Sequence, residues 1–161
     1  PPLPAHLLQP QKDEIKAADQ EKQVKFINDL NSPAIARTTV MNNLRFGGRE
    51  EVQAVLESLE DSTATVRYHG LMQFRGIDLQ DRQSIAIEHL RDPSRLVRIG
   101  AAQLLTDFDG SGWNESDRLA LGNAKQDLED MLYGNAEFTS GRLQLAVFVM
   151  QLGVRQSAIK H

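Results

Sequence analysis

The sequence predicts an all-α protein, a short α-α superhelix of helical hairpins, and three observations carry that prediction. One turn-and-helix pattern is written three times: Leu30-Asn31-Ser32-Pro33…Ala36-Arg37, Leu59-Glu60-Asp61-Ser62…Val66-Arg67 and Leu90-Arg91-Asp92-Pro93…Val97-Arg98. Arg37 to Arg67 is 30 residues and Arg67 to Arg98 is 31, the period of stacked supersecondary units. Between the turns, apolar residues return at helical spacing, and no alternating pattern marks a strand.

The elements follow in order. Four of the six prolines are Pro1, Pro2, Pro4 and Pro10, so residues 1–11 read as an extended arm or linker. Residues 12–161 read as a single helical-repeat domain with hairpins over 19–46, 49–76 and 80–108. The first helix of each hairpin carries a stripe: Gln23/Phe26/Ile27/Leu30, Val52/Val55/Leu56/Leu59 and Gln83/Ala86/Ile87/Leu90. The second helices carry Ala36/Val40/Met41/Leu44, Val66/Gly70/Leu71/Phe74 and Val97/Ala101/Ala102/Leu105. Gly70, Ala101 and Ala102 are small enough to let helices approach closely. Asp61 and Asp92 are placed to cap the following helix, and Pro33 and Pro93 stand where a helix starts. Gly47-Gly48 and Gly76 close the first two hairpins.

A Gly-rich break spans Asp107 to Trp113. Asn114 or Ser116 then opens a long helix with Leu121, Ala124, Leu128 and Met131 on one face, and Gly134-Asn135 stops it. A last helix is expected from about Thr139 to Leu152, ended by Gly153, with a further helix beginning at Arg155.

Composition sets limits on function. The 161 residues are 40% hydrophobic and 25% charged, ordinary for a soluble domain with a sizeable core. Aromatics are only 6%, so the core is aliphatic. Net charge is -4 with no basic run, which argues against nucleic acid. No apolar run reaches the ~20 residues of a bilayer span. Cysteine is absent, which excludes disulfides, thiolate metal sites, a cysteine nucleophile and a covalently attached c-type haem within this chain. A start at Pro1 without a signal peptide reads as a mature product or an excised fragment.

With an Asp in the inner turn and an Arg early in the second helix, the chain from Asp19 to Phe108 resembles HEAT repeats. The resemblance implies that these residues hydrogen-bond between neighbouring repeats, with Asp61–Arg67 and Asp92–Arg98 as the ladder. The first copy departs from it, with Asn31 in place of the Asp. The tail, residues 115–161, resembles a truncated tetratricopeptide (TPR) unit, with Leu143-Gln144-Leu145-Ala146 and Ala158 in its motif. Arg142 and Val149 stand where that motif commonly has Trp and Tyr. The order of these units, with the phrases SPAIARTTVMNNL and DPSRLVRIGAAQLL, resembles the C-terminal helical region of bacterial multihaem cytochrome c-like proteins. That implies a periplasmic or exported parent, a scaffolding role for this piece, and haem only elsewhere in a longer protein.

Candidate sites follow from the repeat. Stepping i, i+4, i+7 from the residue after each Arg gives Thr38-Asn42-Arg45, Tyr68-Met72-Arg75 and Ile99-Gln103-Thr106. These nine residues are the expected partner-binding rows, since exposed aromatic and Met side chains mark interfaces. The alternative is contact with neighbouring helices or the arm. Asp61, Arg67, Asp92 and Arg98 are expected to be structural, because they recur with the repeat and catalytic groups do not. Asp107 to Glu115 resembles half of a calcium loop, but its twelfth position is Arg118 rather than a bidentate Glu; a polar linker is expected, with no metal. His6, His69 and His89 have no catalytic or zinc-binding spacing. His69 is expected at the surface or groove and His89 on a solvated helix face. Finally, residues 142–152 are apolar almost all round the helix, so self-association through this helix is expected. The chain therefore reads as a non-catalytic protein-interaction scaffold, with no cofactor of its own. A small helical-repeat enzyme or lyase-like helper acting through the groove is the alternative, and the rows offer it only arginines.

Overall fold

Helix–turn–helix pairs form where the period places them. The computed structural model describes residues 19–45 and 48–159, with the side chains of 79 and 151–159 outside it. The arm expected over 1–11, His6 and Gly47 lie outside the described residues. Helix α1 covers 19–27, followed by α2 (Ala34–Asn43), α3 (Arg49–Ser58) and α4 (Ala64–Gln73). Next come α5 (Leu79–Glu88), α6 (Arg95–Leu104), α7 (Glu115–Gly134) and α8 (Thr139–Ile159). Short 3-10 turns at Phe74–Gly76 and His89–Arg91 end α4 and α5. Among the described residues there is no strand, and the fold is all-α.

Helices α2 to α6 are each 10 residues long, below the ~12–15 residues at which an isolated helix becomes even marginal. Packing must therefore hold them. The chain divides into two compact units, Pro1–Phe74 and Arg75–His161.

In the first unit α2 and α3 both pack on α4. Its core is Ile27, Met41, Leu44, Ala54, Val55, Leu59, Val66, Leu71 and Phe74. The expected stripe on α4 is wholly buried. The stripe on α3 is rotated from expectation: Val52 and Leu56 are exposed, while Glu51, Ala54, Val55 and Ser58 turn inward. Leu30 is also exposed, because α1 ends before it. Gly70 explains how α3 and α4 approach so closely. A Cβ there would lie 2.5 Å from the Ser58 Oγ and 2.9 Å from the Leu59 Cδ2.

In the second unit α6 packs on α5 and α7, and α7 packs on α8. Val97, Ala101, Ala102 and Leu105 are fully buried as expected. On α7 the buried face is Ala120, Leu121, Ala124, Leu128 and Leu132; Leu132, rather than Met131, completes it. Asn114 is the N-cap of α7, its side chain accepting from the Asp117 N–H. The expected helix break at Gly153 does not occur: α8 runs unbroken through it to Ile159. A glycine inside a helix weakens it by only about 1 kcal/mol, and no proline or cap follows to stop the chain, so Ala146 and Ala158 share one helix.

Candidate interaction surfaces

The charged residues of the repeat pair differently from the expected ladder. In the first unit the Asp61 carboxylate is taken by Arg37 of the preceding hairpin, Nη1 to Oδ2 at 2.5 Å and Nη2 to Oδ1 at 3.4 Å. Both side chains are buried. Arg67 instead donates to the backbone carbonyls of Asp61 (2.7 Å) and Ser62 (3.2 Å). The same arrangement recurs in the second unit. Arg98 donates to the carbonyls of Asp92 (3.1 Å) and Pro93 (3.3 Å), while its Nε reaches the Asp127 carboxylate at 2.8 Å. Arg95 shares Asp127 through its Nε at 3.0 Å. Thus Arg37 and Arg98 both reach carboxylates further along the chain, Arg37 in the α3–α4 turn and Arg98 on α7. The within-repeat Asp61–Arg67 and Asp92–Arg98 bonds go to peptide oxygens.

Each turn Asp has a second task. Asp61 Oδ1 accepts the Thr63 N–H and Asp92 Oδ1 the Ser94 N–H, both at 2.7 Å. Thr63 and Ser94 are themselves the N-cap residues. The aspartates therefore close the turn entering the helix rather than cap its free N–H groups. In the first copy Asp29 does this work, accepting from the Asn31 N–H at 3.0 Å and the Ser32 hydroxyl at 2.8 Å. Pro33 is the N-cap of α2, and Pro93 precedes the N-cap of α6.

The nine row residues separate by burial. Thr38 and Ile99 are core, at 2% and 7% exposure, and leave the candidate surface. Thr38 turns its hydroxyl back to the Ile35 carbonyl at 2.9 Å, and Ile99 sits on the inward face of α6. In the first unit Asn42 and Arg45 are exposed and Tyr68 and Met72 half-buried. Asn42 Oδ1 lies 3.0 Å from the His69 Nδ1, and the His69 ring stands edge-on to Tyr68. Burial holds the His69 imidazole below its ordinary pKa, so the neutral ring donating to Asn42 is favoured at pH 7. Arg45 borders a shallow cavity of about 340 Å³ with Asp19, Gln20, Gln23 and Asn43. In the second unit Arg75 Nη2 donates to the Gln103 Oε1 at 3.0 Å, and Thr106 is half-buried.

His89 is buried, not solvated, with its Nδ1 2.9 Å from the Ile85 carbonyl. The stretch Asp107 to Glu115 is a structured turn in which Gly110 and Gly112 take φ of 81° and 79°. Its carboxylates have internal partners: Asp107 pairs with Arg82 at 2.9 Å, Asp109 accepts the Ser111 N–H at 2.8 Å, and Glu115 pairs with Arg118. Among the described residues no acidic or histidine cluster is arranged to hold a metal ion.

Apolar side chains are exposed along the described part of α8. Leu143, Val147, Val149 and Met150 are 42–68% exposed, and Phe138, just before the helix, is also exposed. Phe148, on the α7 side, is buried. Among the described residues no helix is long and apolar enough to cross a membrane. Against models of protein families, curated proteins and solved structures, the chain matches none.

Proposed function

We propose that this chain is a non-catalytic protein-interaction scaffold built on HEAT-like hairpins, and that α8 is its principal docking surface. The observation that supports this is the exposed stripe Leu143, Val147 and Met150, with Val149 exposed on an adjoining face of the helix. Contiguous apolar exposure of this kind marks an interaction site. Self-association through residues 142–152 is part of the reading, and the polar and aromatic group of Asn42, Tyr68 and His69 is a second contact face for a protein partner. The repeated Arg and Asp residues support the same division of labour: they are spent on holding helices together.

The parent we propose is a larger exported cytochrome-like protein in which haem lies elsewhere. That part rests on the sequence resemblance, and the gene region encoding this chain tests it. Cys-x-x-Cys-His motifs upstream would support it, and a parent reading frame lacking them would overturn it.

The scaffold reading is tested by a photo-crosslinking residue placed at Val149 in cells. Adducts of one defined mass are expected there, and none when the same residue replaces exposed Gln126 on α7. No adduct at Val149 would overturn the reading.

A further inference from the structure

We infer that α8 presents the face through which one hairpin of this chain receives the next, and that its occupant is a carboxylate-bearing helical hairpin of another polypeptide. This rests on the reading of α8 as an interaction surface and names what docks there.

An arginine stands fourth in every second helix: Arg37 in α2, Arg67 in α4, Arg98 in α6 and Arg142 in α8. Steps of one, four and seven residues from that arginine trace one side of a helix. In α2 they give Thr38, Met41 and Leu44, all buried together with Arg37. In α6 they give Ile99, Ala102 and Leu105, again all buried. Both faces are covered by helices further along the chain. Helix α4 packs on α2, and Met41 receives the Ser58 hydroxyl from the end of α3. Helix α7 packs on α6. The arginine then takes a carboxylate from the covering segment, Asp61 for Arg37 and Asp127 for Arg98.

In α8 the same steps give Leu143, Ala146 and Val149, and all three are exposed with Arg142. Among the described residues no carboxylate pairs with Arg142. Helix α7 packs on another side of α8, where Gly141 and Phe148 are buried. The pattern that is covered on α2 and on α6 is thus repeated on α8 and left open.

The open face states the chemistry of its occupant. Leu143 and Val149 call for aliphatic side chains, and Ala146, like Ala102 on α6, admits a close helix. Arg142 keeps its charge when covered, so the covering surface must bring a carboxylate to it, as Asp61 and Asp127 do within the chain. The length of α8 decides where the cover comes from. Helices α2 and α6 end after 10 residues, and the chain turns back over them. Helix α8 runs for 21 residues, which carries the chain about 16 Å past that point without a turn. The cover is therefore a separate polypeptide.

The test uses the full chain in cells, with the photo-crosslinking residue at Val149 and the adduct sequenced by mass spectrometry. The crosslink is expected in a helix–turn–helix segment of a different protein, close to an aspartate or glutamate. Arg142→Glu should lower its yield at least about tenfold, the effect of setting like charges against each other in a covered contact. Arg142→Lys keeps the charge and loses only the planar fork, so it should retain most of the yield. The same crosslinking residue at Gln144, exposed on the opposite side of α8, should give no such adduct. An adduct that Arg142→Glu leaves unchanged, that forms equally from Gln144, or that joins a segment without a carboxylate would overturn this occupant and leave the scaffold reading standing. So would an adduct of twice the chain's mass, which would make the occupant a second copy. No adduct at Val149 would overturn both readings.

Discussion

Arg37→Ala is expected to destabilise the N-terminal unit by about 3 kcal/mol or more, the usual consequence of stranding one member of a buried ion pair. Arg37 and Asp61 are both nearly inaccessible, and the pair is bidentate. The intact pair gains little over an apolar substitute, since two charges had to leave water. Removing the arginine alone leaves a buried carboxylate with its desolvation cost and without its cation. For a unit of this size the melting midpoint should fall by roughly 10–20 °C. Arg45→Ala, at an exposed position, should change stability by no more than about 0.5 kcal/mol. Thermal melts of the two variants followed by circular dichroism decide it; equal, small effects would contradict the ladder.

The same pair makes stability fall in acid. Burial alone would raise the Asp61 carboxyl. The Arg37 hydrogen bond, the Thr63 N–H and the Arg37 charge outweigh it and hold the group below the ordinary carboxylate range. In the unfolded chain it titrates near its free value of about 3.9. The ionised pair's contribution is therefore complete above that value and is lost as pH falls through the lower folded one. Asp61→Asn should show a shallower decline of stability with acid than the wild type.

Gly141→Ala and Gly122→Ala are expected to act in opposite directions. Both glycines lie inside helices, where alanine is favoured by about 1 kcal/mol. A Cβ on Gly122 meets nothing within 4 Å, so that gain stands. A Cβ on Gly141 would lie 1.9 Å from the Asn135 carbonyl oxygen and 2.6 Å from its carbon. Those are backbone atoms, and the α7–α8 connection must shift to admit the methyl. Overpacking of this kind costs typically 1–3 kcal/mol, which exceeds the propensity gain. Urea unfolding of the two variants should move the midpoint up for Gly122→Ala and down for Gly141→Ala. A stabilised Gly141→Ala would mean that α8 does not sit tightly on the end of α7.

The sequence made the helices legible because periodicity is repeated evidence: each stripe and each turn Asp confirms the others. The second stripes, on α4 and α6, are buried as read. What failed is local. The α3 stripe turned by one position because Glu51 and Ser58 could face inward, which their polarity hides. Counting along single helices puts Thr38 and Ile99 on a surface, but which side of a helix is covered depends on its neighbours. His89 was hidden for the same reason. The ladder was legible in residue type and not in partner. Arg37 already stood in the repeated series, and only the packing reveals that it reaches forward to Asp61. Asp127 gave no signal, because it lies on a long helix outside the repeat. The apolar character of α8 was legible, while its division into an α7 face and an exposed face needed the position of α7.

On the proposed function the working surface of this protein is the exposed stripe of α8, and amide hydrogen exchange at two protein concentrations tests that most directly. Exchange in a helix reports its opening free energy, which association raises. The amides from Leu143 to Met150 are expected to exchange several-fold more slowly at high concentration, with α3 and α4 unchanged. Identical rates in α8 at both concentrations would contradict it.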